Sequence, residues 1–376
     1  MIGGSPMSSN RLLLRRQFNS NSRQLLSSIV DTIGNTPLVE LSRFFDQSIS
    51  ANNRDQFSGR ILAKLEYFNP GGSKKDRIAK CIIDSALSQG KLRPGDHVVE
   101  LTSGNTGTGL AIVCASRGLH FHAVMSRGNS PERAIMMRAL GANVELVDQE
   151  PGSTPGKVSG RDLDLVENRC QEMVEEMGAF RVDQFHDWGS ADAHYFGTGR
   201  EIFEQCHGRL DAFVDFVGTS GTFAGCAKYF KEQSDGRIKC FVVEPIGAEV
   251  LAKDVKYQNA NGTNIISFGS NHSHASLSGC SHVIQGGGYS KPLSQLKLLR
   301  ENSECIDGYI QVSDAEAIAT TRLLAKTEGI FGGFSGGANV AAAMKLLQRE
   351  EFHGCSVCAL ICDSGLKYMS TGLWSD

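Results

Sequence analysis

Apolar and polar positions along this 376-residue chain switch repeatedly between two periods. Arg60-Ile61-Leu62-Ala63-Lys64-Leu65-Glu66 alternates as a strand does, and Lys75 to Leu87 then takes helical spacing. His97–Leu101 reads as a strand and Asn105 to Arg117 as a helix, followed by a strand over Phe121–Met125. Pro131 to Leu140 is helical and closed by Gly141, and Asn143–Val147 is again a strand. The order repeats further on, with a strand over Ala212–Val217, a helix over Gly221–Phe230 and a strand over Cys240–Glu244. Alternation of this kind predicts parallel sheets flanked by helices, with ligands at the carboxyl ends of the strands. Two stretches break it: about 150–160, and 252–278, which is rich in Asn, Ser, His and Gly and reads as a long surface loop or insertion.

Composition narrows the class. With 40% apolar and 21% charged residues the chain is ordinary for a globular protein and long enough to bury a large core. A net charge of -3 argues against nucleic acid or anionic membrane as the main partner. No apolar run approaches the roughly 20 residues that span a bilayer. The eleven cysteines are scattered, and their odd number suits a reducing compartment better than a disulfide framework. Cys81, Cys114, Cys226 and Cys240 read as small buried hydrophobes. Cys355 and Cys358 have a metal or redox spacing, but Ser356–Ile361 looks like a buried parallel strand, which favours structural thiols; no metal site is expected. Residues 1–26 form a basic, Ser-rich extension with Arg11, Arg15, Arg16 and Arg23 and no acidic residue. Two readings fit it equally: a mitochondrial transit peptide, or a solvated extension with Met7 as a second start. An intracellular protein of the cytoplasm or the mitochondrial matrix is expected.

Four turns between strand and helix carry the chemistry. In Asn69-Pro70-Gly71-Gly72-Ser73-Lys74-Lys75-Asp76-Arg77, proline and two glycines make a tight turn and Ser73 is placed to cap the next helix. A lysine in a first helical turn meets the positive end of the helix dipole, which favours the neutral amine that condenses with aldehydes. A surface lysine pair on a solvated helix start fits this stretch equally well. In Thr102-Ser103-Gly104-Asn105-Thr106-Gly107, hydroxyls, an amide and backbone N–H groups converge as a small carboxylate or phosphate requires. Gly218-Thr219-Ser220-Gly221-Thr222 opens a third helix and suits phosphate, without the Walker lysine or the spaced dinucleotide fingerprint. Gly332-Gly333-Phe334-Ser335-Gly336-Gly337 brings one serine among glycines to a fourth helix start.

Together these stretches resemble the fold-type II pyridoxal-phosphate enzymes, in particular the cysteine synthase and cystathionine β-synthase group. The resemblance runs from Ile33-Gly34-Asn35-Thr36-Pro37-Leu38 to Asp363–Thr371, about nine-tenths of the chain. It implies an α/β enzyme of two lobes, with parallel sheets flanked by helices and the cofactor in the cleft between them. The catalytic region would span 27–372, with a smaller mobile lobe at about 58–185 and a larger lobe of about 27–57 plus 186–372. By this resemblance Lys75, not Lys74, holds pyridoxal 5'-phosphate as a Schiff base and is the catalytic base. Asn105 would bind the ring hydroxyl, Gly218, Thr219, Ser220, Gly221 and Thr222 the phosphate, and Ser335 would face the pyridine nitrogen. Thr102, Ser103, Thr106 and Gln184 would hold the substrate carboxylate, and Gly286-Gly287-Gly288-Tyr289 would face the external aldimine.

The implied activity is β-replacement on a serine-derived amino acid through an aminoacrylate, with O-acetyl-L-serine and sulfide giving L-cysteine and acetate. A homodimer acting on an amino acid and on sulfide or a thiol is expected. The chain departs from the family pattern at Leu101, where proline is usual, at Phe334-Ser335-Gly336-Gly337 in place of Ile-Ser-Ser-Gly, and at His186-Asp187-Trp188-Gly189-Ser190. These positions flank the substrate cleft, so serine, cysteine and O-phosphoserine stay open as substrates. Cysteine or serine β-elimination, cystathionine or cyanoalanine formation, and serine or threonine dehydration use the same electron sink. A sensor or binding partner that uses the cleft to grip another protein is the alternative without catalysis.

Overall fold

The computed structural model describes residues 25–48, 58–102, 104–129, 131–152, 160–248, 250–252, 266–268, 282–288 and 296–375. Residues 1–24 of the basic extension, Ser103 and Tyr289 lie outside the described residues. In chain order the first elements are β1 (Leu38–Glu40), α1 (Ser42–Ser48), β2 (Arg60–Leu65), α2 (Lys75–Ser88), β3 (His97–Leu101) and α3 (Asn105–Arg117). Next come β4 (His120–Ser126), α4 (Pro131–Ala139), β5 (Asn143–Val147), α5 (Gly160–Met177) and β6 (Phe180–Arg181). Helix α6 (Gly189–Ala193), a π turn over His194–Gly199 and α7 (Arg200–Gln205) lead to β7 (Ala212–Phe216), α8 (Gly221–Gln233) and β8 (Lys239–Pro245). The last part holds β9 (Ile266–Phe268), α9 (Lys297–Arg300), β10 (Gly308–Val312), α10 (Asp314–Glu328), α11 (Phe334–Leu347) and β11 (Ser356–Ile361).

Two sheets result. The larger has the order β1-β2-β11-β7-β8-β10-β9, the smaller β5-β4-β3-β6. Every pairing is parallel except β1 with β2. Parallel strands covered by helices on both faces read as continuous apolar runs, which is how β7, β8 and β11 look in sequence. Side chains alternate between two cores across the large sheet: Val214, Phe216, Val357 and Ala359 pack with α11 on one face, Phe213, Val242, Cys358 and Leu360 with α8 on the other.

The strands expected from the alternation are present, with two corrections. Strand β2 falls inside 58–185 but belongs to the larger sheet, because it pairs with β11 and β1; the chain passes to the smaller sheet only after Leu65. The expected loop 252–278 contains β9, which extends the large sheet through its pairing with β10. Cys358 lies in buried β11, and the described cysteines are free thiols. Among the described residues no helix is long and apolar enough to cross a membrane, and no cluster of His, Cys, Asp and Glu is arranged to hold a metal. The turns after β2, β3 and β7 hold three of the four motifs, and the fourth, leading into α11, is bridged at Gly332 to Ser364 just beyond β11.

Candidate active site

Lys75 is the first residue of α2, and the turn before it is fastened at several points. Gly72 takes φ 68, a left-handed conformation that glycine adopts without strain. Ser73 bridges Asp363 just beyond β11, and its Oγ accepts the Lys75 N–H at 3.2 Å. The Gly71 N–H donates to Asp76 Oδ2 at 2.5 Å, closing the turn on the helix. One turn into α2, Arg77 donates to Glu66 and Glu201, and Lys64 joins Glu201 at 2.7 Å, all largely out of solvent. This ionic network anchors the helix start to β2 and α7. The Lys75 Nζ therefore stands in a fixed place, 2.9 Å from Thr219 Oγ1. Burial, and next the Lys74 ammonium, push its pKa down to about 7, so a neutral amine is present at neutral pH.

Thr219 belongs to the turn into α8. Ser220 there has φ 68, a strained conformation for serine. The first N–H groups of α8 have no acceptor within the helix and carry the positive end of its dipole. Side chains are excluded from the turn: a Cβ on Gly218 would strike Gly286 O, one on Gly221 would lie 2.8 Å from Ser190, and the Gly288 N–H donates to Val217 O. Behind the turn lies His194, at the start of the π turn and fully buried. Its Nε2 is 3.2 Å from Thr222 Oγ1 and its Nδ1 2.8 Å from Thr198 Oγ1. Burial, with the nearby Arg77, Lys74 and Lys75 charges, holds this imidazole neutral.

Across from the turn, α3 begins after Gly104. The Thr102 Oγ1 accepts the Gly107 N–H at 2.8 Å, which fastens the helix start and leaves its O–H to donate elsewhere. Thr106 Oγ1 donates to Gln184 Oε1 at 2.7 Å, and Gln184 Nε2 donates to Glu100 Oε1 at 3.2 Å. Glu100 also takes Arg181 at 2.5 Å and the Asp183 N–H at 2.9 Å. Asn105 is held at both ends of its amide: Nδ2 donates to Asp363 Oδ2 at 2.7 Å, and Oδ1 accepts from Lys367 at 2.6 Å. Tyr368 donates to the same Asp363 oxygen, while Asp363 Oδ1 is buried with no protein partner among the described residues. Ser335, buried in the first turn of α11, hydrogen-bonds Cys362.

The hydrogen bonds thus join Lys75 to Thr219, Thr222 to His194, Asn105 to Asp363 and Lys367, and Thr106 to Gln184, while Ser335 lies buried at the start of α11. Pattern reading missed His194, Glu100, Asp363 and Lys367. None of the four stands in a glycine-rich turn, and each meets its partner only through the fold. A neutral-prone amine and a glycine-lined helix N-terminus with hydroxyls, beside a buried carboxylate oxygen left to accept a hydrogen bond, fit an aldehyde carrying a phosphate.

Comparison with known proteins agrees. Residues 29–363 match the family described as pyridoxal-phosphate dependent enzyme. The chain is similar to a Staphylococcus aureus cysteine synthase, 34% identical over 93% of this chain and 97% of the relative. An O-ureido-L-serine synthase from Streptomyces lavendulae is 33% identical over 93% of each chain. Among solved structures, O-acetylserine sulfhydrylase isoform 3 from Entamoeba histolytica superposes with a TM-score of 0.76 at 30% identity, covering 96% of this chain and 95% of that one. The motifs, the sheet order and these likenesses agree that the chain is an enzyme of the fold-type II pyridoxal-phosphate family, in its cysteine synthase and cystathionine β-synthase group, with pyridoxal phosphate as its cofactor.

Proposed function

We propose that this enzyme carries out β-replacement on a serine-derived amino acid, converting O-acetyl-L-serine and sulfide to L-cysteine and acetate. The observation that carries the proposal is the position of the Lys75 amine between the glycine-rich turn into α8 and the Thr106–Gln184 pair. Relatives named for cysteine synthase and O-acetylserine sulfhydrylase support the substrate pair. A relative named for O-ureido-L-serine, at nearly the same identity, supports a second reading in which the nucleophile is not sulfide.

In this proposal pyridoxal phosphate, when bound, supplies an electron sink for bond breaking at the substrate's α and β carbons. The turn Gly218–Thr222 holds the phosphate by first-turn N–H groups and the Thr219 and Thr222 hydroxyls, with His194 fixing Thr222. Asn105 is aimed by Asp363 and Lys367 to bind the ring hydroxyl. Ser335 stands at the ring nitrogen as a neutral group, which leaves the sink moderate and suits loss of a β substituent. Lys75 takes the α proton and later returns one. Thr106 and Gln184, and Ser103 outside the described residues, receive the substrate carboxylate. The Thr102 hydroxyl, whose oxygen accepts the Gly107 N–H, donates its O–H to that carboxylate as well.

The test follows the visible absorption of the purified full-length enzyme as O-acetylserine and then sulfide are added, with cysteine measured alongside. A band that shifts with O-acetylserine and returns with sulfide, while cysteine accumulates, is the expected result. An unchanged band, with turnover of serine, cysteine or O-phosphoserine instead, would overturn the substrate assignment.

A further inference from the structure

Lys74 precedes the reactive lysine and is buried, at 8% exposure. Its N–H donates to Cys362 O at 2.9 Å, which fixes its backbone to the end of β11. The side chain runs beneath the cleft to Asp215, with Nζ 2.8 and 3.1 Å from the two carboxylate oxygens. Asp215 is 1% exposed and is the one charged residue of the apolar strand β7. Asn339 of α11 completes the cluster: its Nδ2 is 3.5 Å from Asp215 Oδ1 and 3.5 Å from Cys362 Sγ, and it donates to Leu360 O at 2.9 Å. The cluster joins three motifs, since Lys74 adjoins Lys75, Asp215 lies three residues before Gly218, and Cys362 bonds Ser335.

A buried ion pair is a poor way to stabilise a fold, because desolvation offsets most of its attraction. Its place behind Lys75 offers another role. We propose that Lys74, clamped by Asp215, is a positioning residue that keeps a fixed positive charge behind Lys75 and thereby holds the neighbouring amine neutral for attachment of the cofactor. The inference rests on Lys75 being the cofactor lysine. The groups that face this amine are the charged Lys74 from its own helix start, the carboxyls of Asp215 from β7 and Glu100 from β3, and Cys362 after β11, which burial keeps a neutral thiol at neutral pH, with neutral His194 nearby. Lys74 is the largest of the charged influences and the one that pushes the amine down; Asp215 and Glu100 oppose it. Lys74 itself is held protonated by Asp215, against its burial.

Trace acetylation of the full-length chain across pH, after release of the cofactor with hydroxylamine, reads each lysine amine by mass spectrometry. In the unaltered protein Lys75 should label with a midpoint near neutrality and Lys74 should resist labelling to strongly alkaline pH. In Lys74→Met/Asp215→Asn both charges are gone, and the Lys75 midpoint should rise by about one unit, making labelling at pH 7 about fivefold slower. An unmoved midpoint in a variant that still unfolds cooperatively overturns the proposal. So does ready labelling of Lys74 at neutral pH in the unaltered protein, which decides the matter even where the double variant does not fold. Borohydride trapping of the cofactor away from Lys75 would instead remove the premise, and is read separately.

Discussion

The two walls of the cleft are built on different principles. The wall on the large sheet is made of backbone N–H groups, hydroxyls and a neutral imidazole, packed so closely that a Cβ on Gly218 or Gly221 does not fit. The wall on the small sheet is made of side-chain amides and a hydroxyl, each oriented by a carboxylate behind it: Asn105 by Asp363, and Thr106 through Gln184 by Glu100. A neutral, tightly packed wall suits a group that stays bound through many turnovers. A wall whose donors hang on charged second partners can release one anion and accept the next. Lys75 stands between the two, attached to the first through Thr219.

Changes on either wall should therefore separate cofactor retention from substrate affinity. The largest effect is expected where the walls meet: Lys75→Ala should lower kcat by at least about 10²–10⁴-fold, the range for loss of a positioned base, and remove the attached-cofactor band. Arg77→Met, behind both walls, breaks the buried network with Glu66 and Glu201 and should cost about 3–5 kcal/mol in urea unfolding. Gln184→Ala leaves Thr106 and Glu100 short of a partner and should raise KM for the amino acid by about tenfold, with cofactor affinity unchanged. Thr222→Val should do the reverse, weakening cofactor retention by about 1–3 kcal/mol in a dialysis titration while KM stays near its value. Equal effects of the last two variants on both quantities would erase the distinction between the walls.

The smallest effect concerns pH. The Lys75 amine titrates at about 7 in the folded chain against a usual value of 10.5. Between those values the unfolded chain binds a proton that the folded chain does not, so stability without cofactor should rise with pH across that window. Lys75→Met should flatten that slope in thermal unfolding followed from pH 7 to 10.

Much of this was legible in the chain before any coordinates. Largely apolar elements, such as β7 and β11, and glycine turns that begin helices announce themselves locally, so the strands along the chain and the helix starts that carry Lys75, Asn105, Ser335 and Gly218–Thr222 could be read. What escaped depends on contacts between distant segments. Asp363 and Lys367 reach Asn105 across some 260 residues of chain, and no local pattern pairs them. Strand β2 was placed with its neighbours in sequence, while its hydrogen bonds go to β11. Two signals were present and unused: an aspartate alone in an apolar strand, and a second lysine beside the reactive one.

The central claim is tested most directly by reducing the resting full-length enzyme with borohydride, digesting it and locating the cofactor adduct by mass spectrometry. The account predicts a single adduct on Lys75, with Lys74 unmodified. An adduct on Lys74 or on any other lysine would contradict it.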